Sequence, residues 1–187
     1  AGLAGFDHYF PVNDLCDWDK AVQTLAAQAP WWEPGTASGY HLVTHGYLLG
    51  ELVKRISGQT LGQFFKTEVA DKIDADFHIG LGEEHVPRVA TLIAAKEEAQ
   101  DPGELDPSSV AAKAYLSMEW SVEASATRQW QAAEIPASNG HGNARSVARV
   151  GSLLALGGEL NGRRLLSRSV IEKAIEEQIY GTDLVLG

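Results

Sequence analysis

The sequence is poor in sulfur and in positive charge. Its 187 residues include one cysteine, Cys16, and one methionine, Met118. A single cysteine excludes an internal disulfide, which fits a reducing compartment, and we expect a cytoplasmic protein. Lys and Arg number 15 against 25 Asp and Glu, for a formal net charge of −10. An acidic chain is a poor partner for nucleic acid or for an anionic membrane, so neither is expected.

Long apolar runs are also lacking. No stretch approaches the roughly 18 apolar residues of a membrane-spanning helix, so no membrane partner is expected. Hydrophobic residues still make up 44% of the chain and charged residues 21%. These proportions are typical of a globular protein, and we expect residues 1–187 to form a single domain with its own core.

Both ends of the sequence are unusual. The chain begins with Ala1 and closes on the apolar run 184–187, which predicts the start of a strand. Our expectation is that the chain is truncated at both ends relative to a longer protein. Residues 1–11 are expected to form a surface loop, and apolar surface would be exposed near residues 1–10 and near 184–187. Self-association through these faces is expected.

Capped, periodic segments predict a mainly α fold with a minor β-hairpin. Predicted N-caps are Asp17, Thr60 (in a capping box with Gln63), Ser108, Asn143, and Ser167 or Ser169. Helices are predicted over about 18–28, 40–57, 61–72, 109–118, 127–133, 144–156 and after the last cap. Two short strands, 77–81 and 89–94, are predicted to pair, and Asn161-Gly162 predicts a turn.

The segment from Pro34 to Gly58 is the most informative stretch. A loop rich in Pro, Gly and Ser leads to Tyr40, and an apolar helix follows it. The spacing of Leu42, Leu49, Leu52, Val53 and Ile56 predicts one buried helix face. Gly58 stands where a left-handed helix end is expected. Tyr40 is therefore predicted at a junction of loop and helix, where a side chain can face a cleft.

This segment, with its Pro34-Gly35-Thr36, Tyr40-His41 and closing Arg55-Ile56-Ser57-Gly58, resembles the serine β-lactamase-like hydrolases. Within that superfamily it is most similar to the carboxylesterases related to class C β-lactamases, the family VIII-type esterases. The resemblance continues in order through residues 61–65, 75–81, 139–146, 157–160 and 181–183. It covers nearly the whole chain.

The resemblance implies that the chain is the helical lobe of a β-lactamase or penicillin-binding-protein-like α+β fold. It implies a hydrolase that cleaves a small-molecule carboxylic ester through an acyl-serine, with Tyr40 as general base and no cofactor. His41, Asn139 and His141 would border the substrate. The family's Tyr-x-Asn pattern has Leu42 in its third place here, which favours the esterase branch over the β-lactamases.

The nucleophile that the resemblance implies is not in this sequence. No serine is followed three residues later by lysine, as Ser-x-x-Lys requires, and no Gly-x-Ser-x-Gly elbow occurs. A Lys-Thr-Gly-type element is also absent. We expect these pieces to lie outside the chain, which alone should be inactive. The alternative hypothesis is a non-catalytic binding or scaffolding module of the same fold.

The sequence also contains partial matches to a zinc site and to a dinucleotide-binding loop, and a pair of tryptophans. His41 and His45 lie four apart, as zinc ligands on a helix do, but Leu42 stands where His-Glu-x-x-His needs a glutamate, so no metal is expected. Gly140-His141-Gly142-Asn143 lacks the third glycine of a dinucleotide-binding loop. Trp31 and Trp32 line an acyl pocket or seal the core.

Overall fold

The computed structural model describes residues 1–93, 105–119 and 121–187, and within them the fold is mainly helical. The helices are α1 Val12–Leu15, α2 Trp18–Ala27, α3 Thr44–Ser57, α4 Leu61–Phe65, α5 Val110–Leu116, α6 Val122–Ser125, α7 Arg128–Ala132, α8 Ala144–Ala155 and α9 Arg168–Ile175. A π-helical turn, Lys66–Ala70, continues α4, and a 3-10 helix spans Glu83–Arg88. The strands are β1 Phe77–Ile79, β2 Gly140–Gly142, β3 Glu159–Leu160 and β4 Arg163–Arg164.

Four predicted N-caps are confirmed, at α2, α4, α8 and α9. The Thr60 and Gln63 capping box is present at the start of α4, and Asn143 accepts the Ser146 N–H at the start of α8. Asp17 caps α2 and Ser167 caps α9, as predicted. Helix α5 is capped by Ser109 instead of Ser108. Each cap bonds an N–H three residues ahead, and such a local rule can be read from sequence.

The strand pairing differs from the prediction. Strand β1 pairs antiparallel with β2, so that His78 lies opposite His141. It does not pair with 89–94: the intervening residues form the 3-10 helix, 89–93 are not in a strand, and residue 94 lies outside the described residues. The reason lies in Gly140 and Gly142, because a Cβ at either would meet the Phe77 ring at 2.4 Å. The predicted turn at Asn161-Gly162 is confirmed between β3 and β4.

The amino-terminal segment is part of the core, which corrects the expected surface loop and its exposed apolar face. Phe6 and Phe10 stack with ring centroids 4.0 Å apart, and both are buried. The Phe10 N–H donates to the Ser117 carbonyl at 2.8 Å, which ties the segment to the end of α5. Three aromatic residues, at positions 6, 9 and 10, stand close together here, and the first and last of them face inward.

Helix α3 buries a different face from the one predicted. Its buried side consists of Thr44, Gly46, Tyr47 and Gly50. The predicted face is instead largely open, with Leu49, Leu52 and Ile56 exposed, although Leu42 is buried ahead of the helix. Small residues explain the difference. A Cβ on Gly46 would come within 2.8 Å of the Ala137 backbone nitrogen, so this side of the helix packs at close range.

The carboxyl-terminal run forms a turn and not the predicted strand. The Asp183 carboxylate accepts the N–H groups of Val185 and Leu186, an arrangement that closes a tight turn. Val185 is buried against the core, while Leu186 is exposed. In the described part of the chain, no helix combines the length and the apolar character that crossing a membrane requires.

Candidate active site

The segment Ser38–Tyr40 is held in place by a distant carboxylate. Asp183 accepts the Tyr40 backbone N–H at 3.0 Å and the Ser38 hydroxyl at 3.1 Å. The Leu184 N–H donates to the Ser38 carbonyl at 2.9 Å, so backbone also meets backbone. The sequence separates these partners by more than 140 residues. The loop that carries Tyr40 is therefore fixed to the turn at 183–186.

Tyr40 lies outside any helix or strand, four residues ahead of α3, since that helix begins at Thr44 and not at Tyr40. Its side chain is 46% exposed. The backbone is thus anchored while the phenol remains open to solvent. This combination suits a group that must meet a substrate in a fixed position.

His41 lies beside Tyr40 in the same loop. Its Nδ1 is 2.7 Å from the Gly39 carbonyl oxygen, and its Nε2 is buried with no hydrogen-bond partner among the described residues. Burial lowers the pKa of His41, which favours the neutral ring at pH 7. His41 is outside the helix, so it does not form a helical pair with His45. The His45 Nδ1 instead lies 3.0 Å from the His41 carbonyl oxygen.

The two tryptophans have different places. Trp32 meets the His41 ring edge-on at 6.1 Å between centroids, and its indole N–H donates to the Ala37 carbonyl. It therefore borders the Tyr40 loop. Trp31 donates to Asp7 and lies under the Lys113 ammonium, 4.1 Å from the ring centroid. Trp31 thus helps to close the core rather than to line the loop.

Asn139 is buried, and its side-chain amide is fully engaged within the protein. Its Nδ2 donates to the carbonyls of Trp130 and Ala133, both at 2.6 Å, and its Oδ1 accepts the Ile135 N–H at 2.9 Å. All of its hydrogen-bonding groups stabilise the loop from α7 to β2. In this arrangement, Asn139 shapes the backbone that leads to His141.

His141 belongs to a second group, which lines a cavity of about 590 Å³ between β1, β2 and the 3-10 helix. His78 stands opposite it in the ladder, and the His85 ring lies 4.1 Å from that of His78. Burial lowers the pKa of His141. At the cavity wall, Asp76 accepts from Arg88 and lies 3.0 Å from the His78 Nε2. The cavity thus presents imidazoles and an ion pair.

Tyr40 and His41 are together, whereas Asn139 and His141 lie elsewhere. Within the described ranges, no hydrogen bond, ion pair or aromatic contact joins the Tyr40 loop to the histidine cavity. Over the same residues, no group of three or more His, Cys, Asp or Glu side chains is arranged to hold a metal ion. The candidate reactive groups are therefore the Tyr40 phenol and the histidine imidazoles.

The sequence model of the family described as Beta-lactamase matches residues 1–187. The chain belongs to the Beta-lactamase family.

Relatives of this Beta-lactamase family chain include esterases. A curated protein described as "Esterase/beta-lactamase LipL", from Mycobacterium tuberculosis, is 32% identical over 192 residues, which cover 91% of this chain and 42% of that protein. A family VIII carboxylesterase of known crystal structure is 36% identical in sequence and superimposes with a TM-score of 0.86. The match covers 100% of this chain and 49% of the carboxylesterase chain.

Two further solved structures are similar over the whole chain. A novel penicillin-binding protein homologue from Caulobacter crescentus is 37% identical with a TM-score of 0.85, and this chain covers 49% of it. EstA from Arthrobacter nitroguajacolicus is 30% identical with a TM-score of 0.82, and this chain covers 50% of it. The chain therefore spans about half the length of the relatives it matches, and it has the fold of the helical lobe of this family.

Sequence reasoning missed two features of this Beta-lactamase family chain. The first is Asp183, which in the sequence is only the last residue of the matching segment 181–183 and whose hydrogen bond to Tyr40 spans the chain. An acidic residue after Gly-Thr signals a local turn but carries no sign of a distant partner. The second is the grouping of His78 and His85 with His141, which depends on the unexpected pairing of β1 with β2.

Proposed function

We propose that this chain is the helical part of a longer serine hydrolase that cleaves carboxylic esters. The observation that carries the proposal is the match of the chain to proteins described as esterases, over 91% of its length in sequence and 100% in fold. Leu42 in place of asparagine supports the ester branch of the family. An uncharged small-molecule ester also suits a chain whose acidic surface disfavours polyanions.

In the proposed reaction, Tyr40 is the general base. The phenolate oxygen of Tyr40 takes the hydroxyl proton of a serine as the serine oxygen bonds to the ester carbonyl carbon. That proton then passes to the leaving oxygen as the ester C–O bond breaks, and water later hydrolyses the acyl-serine. Support for this role comes from the exposed phenol and the anchored backbone of Tyr40.

The proposal needs groups beyond these 187 residues. A free tyrosine has a pKa of about 10, so only about one in a thousand is ionised at pH 7, and a neighbouring cation is needed to lower that value. In the resembled enzymes a lysine of Ser-x-x-Lys supplies it. No serine in this sequence has that lysine, so both the nucleophile and the cation would lie in other parts of the longer protein.

His41 and His141 are proposed to border the substrate from two sides. His41 is adjacent to Tyr40, and its neutral ring offers a buried nitrogen without a partner among the described residues. His141 lines the cavity of about 590 Å³, which is large enough for a small ester. Asn139, which the resemblance also placed at the substrate, would act by holding the loop before His141.

A Tyr40→Phe variant of the longer protein tests the role of Tyr40. The change removes only the hydroxyl, and it should lower kcat for a p-nitrophenyl short-chain ester by about two to four orders of magnitude, the usual range for a general base. The fold should be retained, because no hydrogen bond to the Tyr40 hydroxyl appears among the described residues. Tyr115→Phe, on α5, is the matched control and should keep full turnover. Unchanged turnover in Tyr40→Phe would remove Tyr40 from the mechanism.

A further inference from the structure

Asp183 stands between two separate parts of the chain and bonds to both. Its carboxylate accepts four hydrogen bonds from described residues: from Val185 N–H at 2.8 Å, Leu186 N–H at 3.0 Å, Tyr40 N–H at 3.0 Å and the Ser38 hydroxyl at 3.1 Å. The first two close its own turn. The other two reach across to the loop that carries Tyr40.

The bonds across the chain fix Tyr40 at its own backbone nitrogen. The loop has no helix or strand around Tyr40 to supply that restraint, because α3 starts at Thr44. A second restraint is the Leu184 N–H, which donates to the Ser38 carbonyl at 2.9 Å. On the other side of Tyr40, the His41 ring bonds back to Gly39 and meets Trp32 edge-on, and Leu42 and Val43 are buried in the core. At Tyr40 itself, the backbone hydrogen bond comes from Asp183 in the 183–186 turn.

The electrostatics agree with that geometry. Burial raises the pKa of Asp183, but the N–H groups of Val185, Leu186 and Tyr40 outweigh it and hold the pKa below its usual range. The carboxylate is therefore ionised at neutral pH, and bonds to a charged acceptor are stronger than those between neutral groups.

We propose that Asp183 is a positioning residue that sets the place of the Tyr40 phenol through the Tyr40 backbone. The inference rests on the proposed function, in which Tyr40 is the general base, and adds to it the group that aligns this base. Asp183 has no contact with the reacting atoms in this account. A shift of about 1 Å in a reacting group can cost about a hundredfold in rate, so this alignment matters.

Two substitutions separate the local turn from the cross-chain bonds. Asp183→Asn keeps a carbonyl oxygen at the same reach, which can still accept the N–H groups. Asp183→Ser has a shorter side chain that can still close its own turn, as serine does in such turns, but cannot reach the Tyr40 nitrogen. Asp71→Ala, which removes an exposed carboxylate paired with Lys66, is the control for loss of a surface charge.

The test is made in the longer protein with fluorotyrosine incorporated, so that the Tyr40 environment is read by fluorine NMR independently of activity. The resonance that disappears in Tyr40→Phe is that of Tyr40. We expect Asp183→Ser to shift this resonance and to lower kcat about a hundredfold with KM unchanged. Asp183→Asn should restore the resonance and most of kcat, and Asp71→Ala should alter neither.

An unmoved Tyr40 resonance in a folded Asp183→Ser protein would overturn the proposal. So would a moved resonance with unchanged kcat in a protein whose Tyr40→Phe variant is inactive. If Asp183→Ser does not fold, Ser38→Ala decides in its place: it removes one bond to Asp183, and the resonance must move. Full turnover in Tyr40→Phe would instead defeat the proposed function, and the resonance alone would then decide whether Asp183 positions Tyr40.

Discussion

Asp76 is the carboxylate with the strongest partners at the histidine cavity. Its hydrogen bond with Arg88 is the larger influence and that with His78 the second, and together they lower its pKa to about 2. The unfolded chain has no such partners, so its Asp76 binds a proton at a higher pH. Stability from Asp76 is therefore present above the ordinary value of 3.8 and is lost as pH falls from there toward about 2.

We predict that Asp76→Asn lowers the free energy of unfolding at pH 7. The difference in this free energy between the variant and wild type should become smaller as pH falls toward about 2. Urea unfolding followed by circular dichroism at a series of pH values measures both effects. Arg88→Ala should produce a similar loss at neutral pH, because it removes the chief partner. A constant difference between Asp76→Asn and wild type across the acid range would contradict this account of the carboxylate.

At the same scale, the sequence identified Tyr40 through its neighbours in the chain but could not identify Asp183. The Pro-Gly-Thr before Tyr40 and the His41 after it are local signals. The bond from the Tyr40 N–H to Asp183 joins residues 143 apart, and nothing in either neighbourhood records it. His141 is a candidate through the resemblance alone, whereas His78, which lies opposite it, depends on a strand pairing that the sequence does not reveal.

At the scale of elements, the packing of α3 is set by small residues. Gly46 faces the Pro136–Ala137 backbone, and Gly50 faces the Trp18 ring. The larger residues Leu49, Leu52 and Ile56 lie on the other side. Periodicity alone favoured the face with the larger apolar side chains. Close packing of a helix needs small residues at the contact, and a hydrophobic pattern takes no account of residue size.

Two glycine substitutions test this packing. Gly46→Ala should destabilise the protein by about 1–3 kcal/mol, since its Cβ would lie 2.8 Å from the Ala137 nitrogen and force the backbone apart. Gly151→Ala, in α8, is the matched control. Among the described residues, no atom beyond its chain neighbours and the backbone of its own helix lies within 4 Å of the added Cβ, so the gain in helix propensity should stabilise the protein by up to about 1 kcal/mol. Thermal unfolding gives both values, and equal effects of the two changes would contradict the close contact at Gly46.

The N-caps of α4, α8 and α9 could be predicted from the sequence, and the partner of β1 could not. Thr60, Asn143 and Ser167 each cap the helix that directly follows them, so the signal and the structure occupy the same few residues. The pairing of β1 with β2 joins segments more than 60 residues apart. The sequence favours pairing β1 with the nearby segment 89–94. In the structure β1 pairs with β2 instead, where the Phe77 ring packs on Gly140 and Gly142.

At the scale of the whole molecule, the exposed apolar surface lies only in part where the sequence predicts it, since Leu184 and Leu186 are exposed near the carboxyl end. The amino-terminal aromatics Phe6 and Phe10 are buried, and Ile56 on α3 is 86% exposed. Self-association stays a prediction, and its expected locations are the exposed leucines of 184–187 and the open face of α3. The family and the mainly helical fold were both predicted, because the resemblance ran through the whole chain in order.

The central claim is that these residues form the helical part of a serine ester hydrolase whose nucleophile lies outside them. Labelling with a serine-reactive fluorophosphonate, located by mass spectrometry, tests it most directly. In the longer protein we predict stoichiometric labelling of one serine that begins a Ser-x-x-Lys sequence. The 187-residue chain alone should stay unlabelled and show only background ester hydrolysis, since without that serine no covalent route exists. Stoichiometric label on a serine within residues 1–187, or none in the longer protein, would contradict the account, and the second result would favour a non-catalytic binding module.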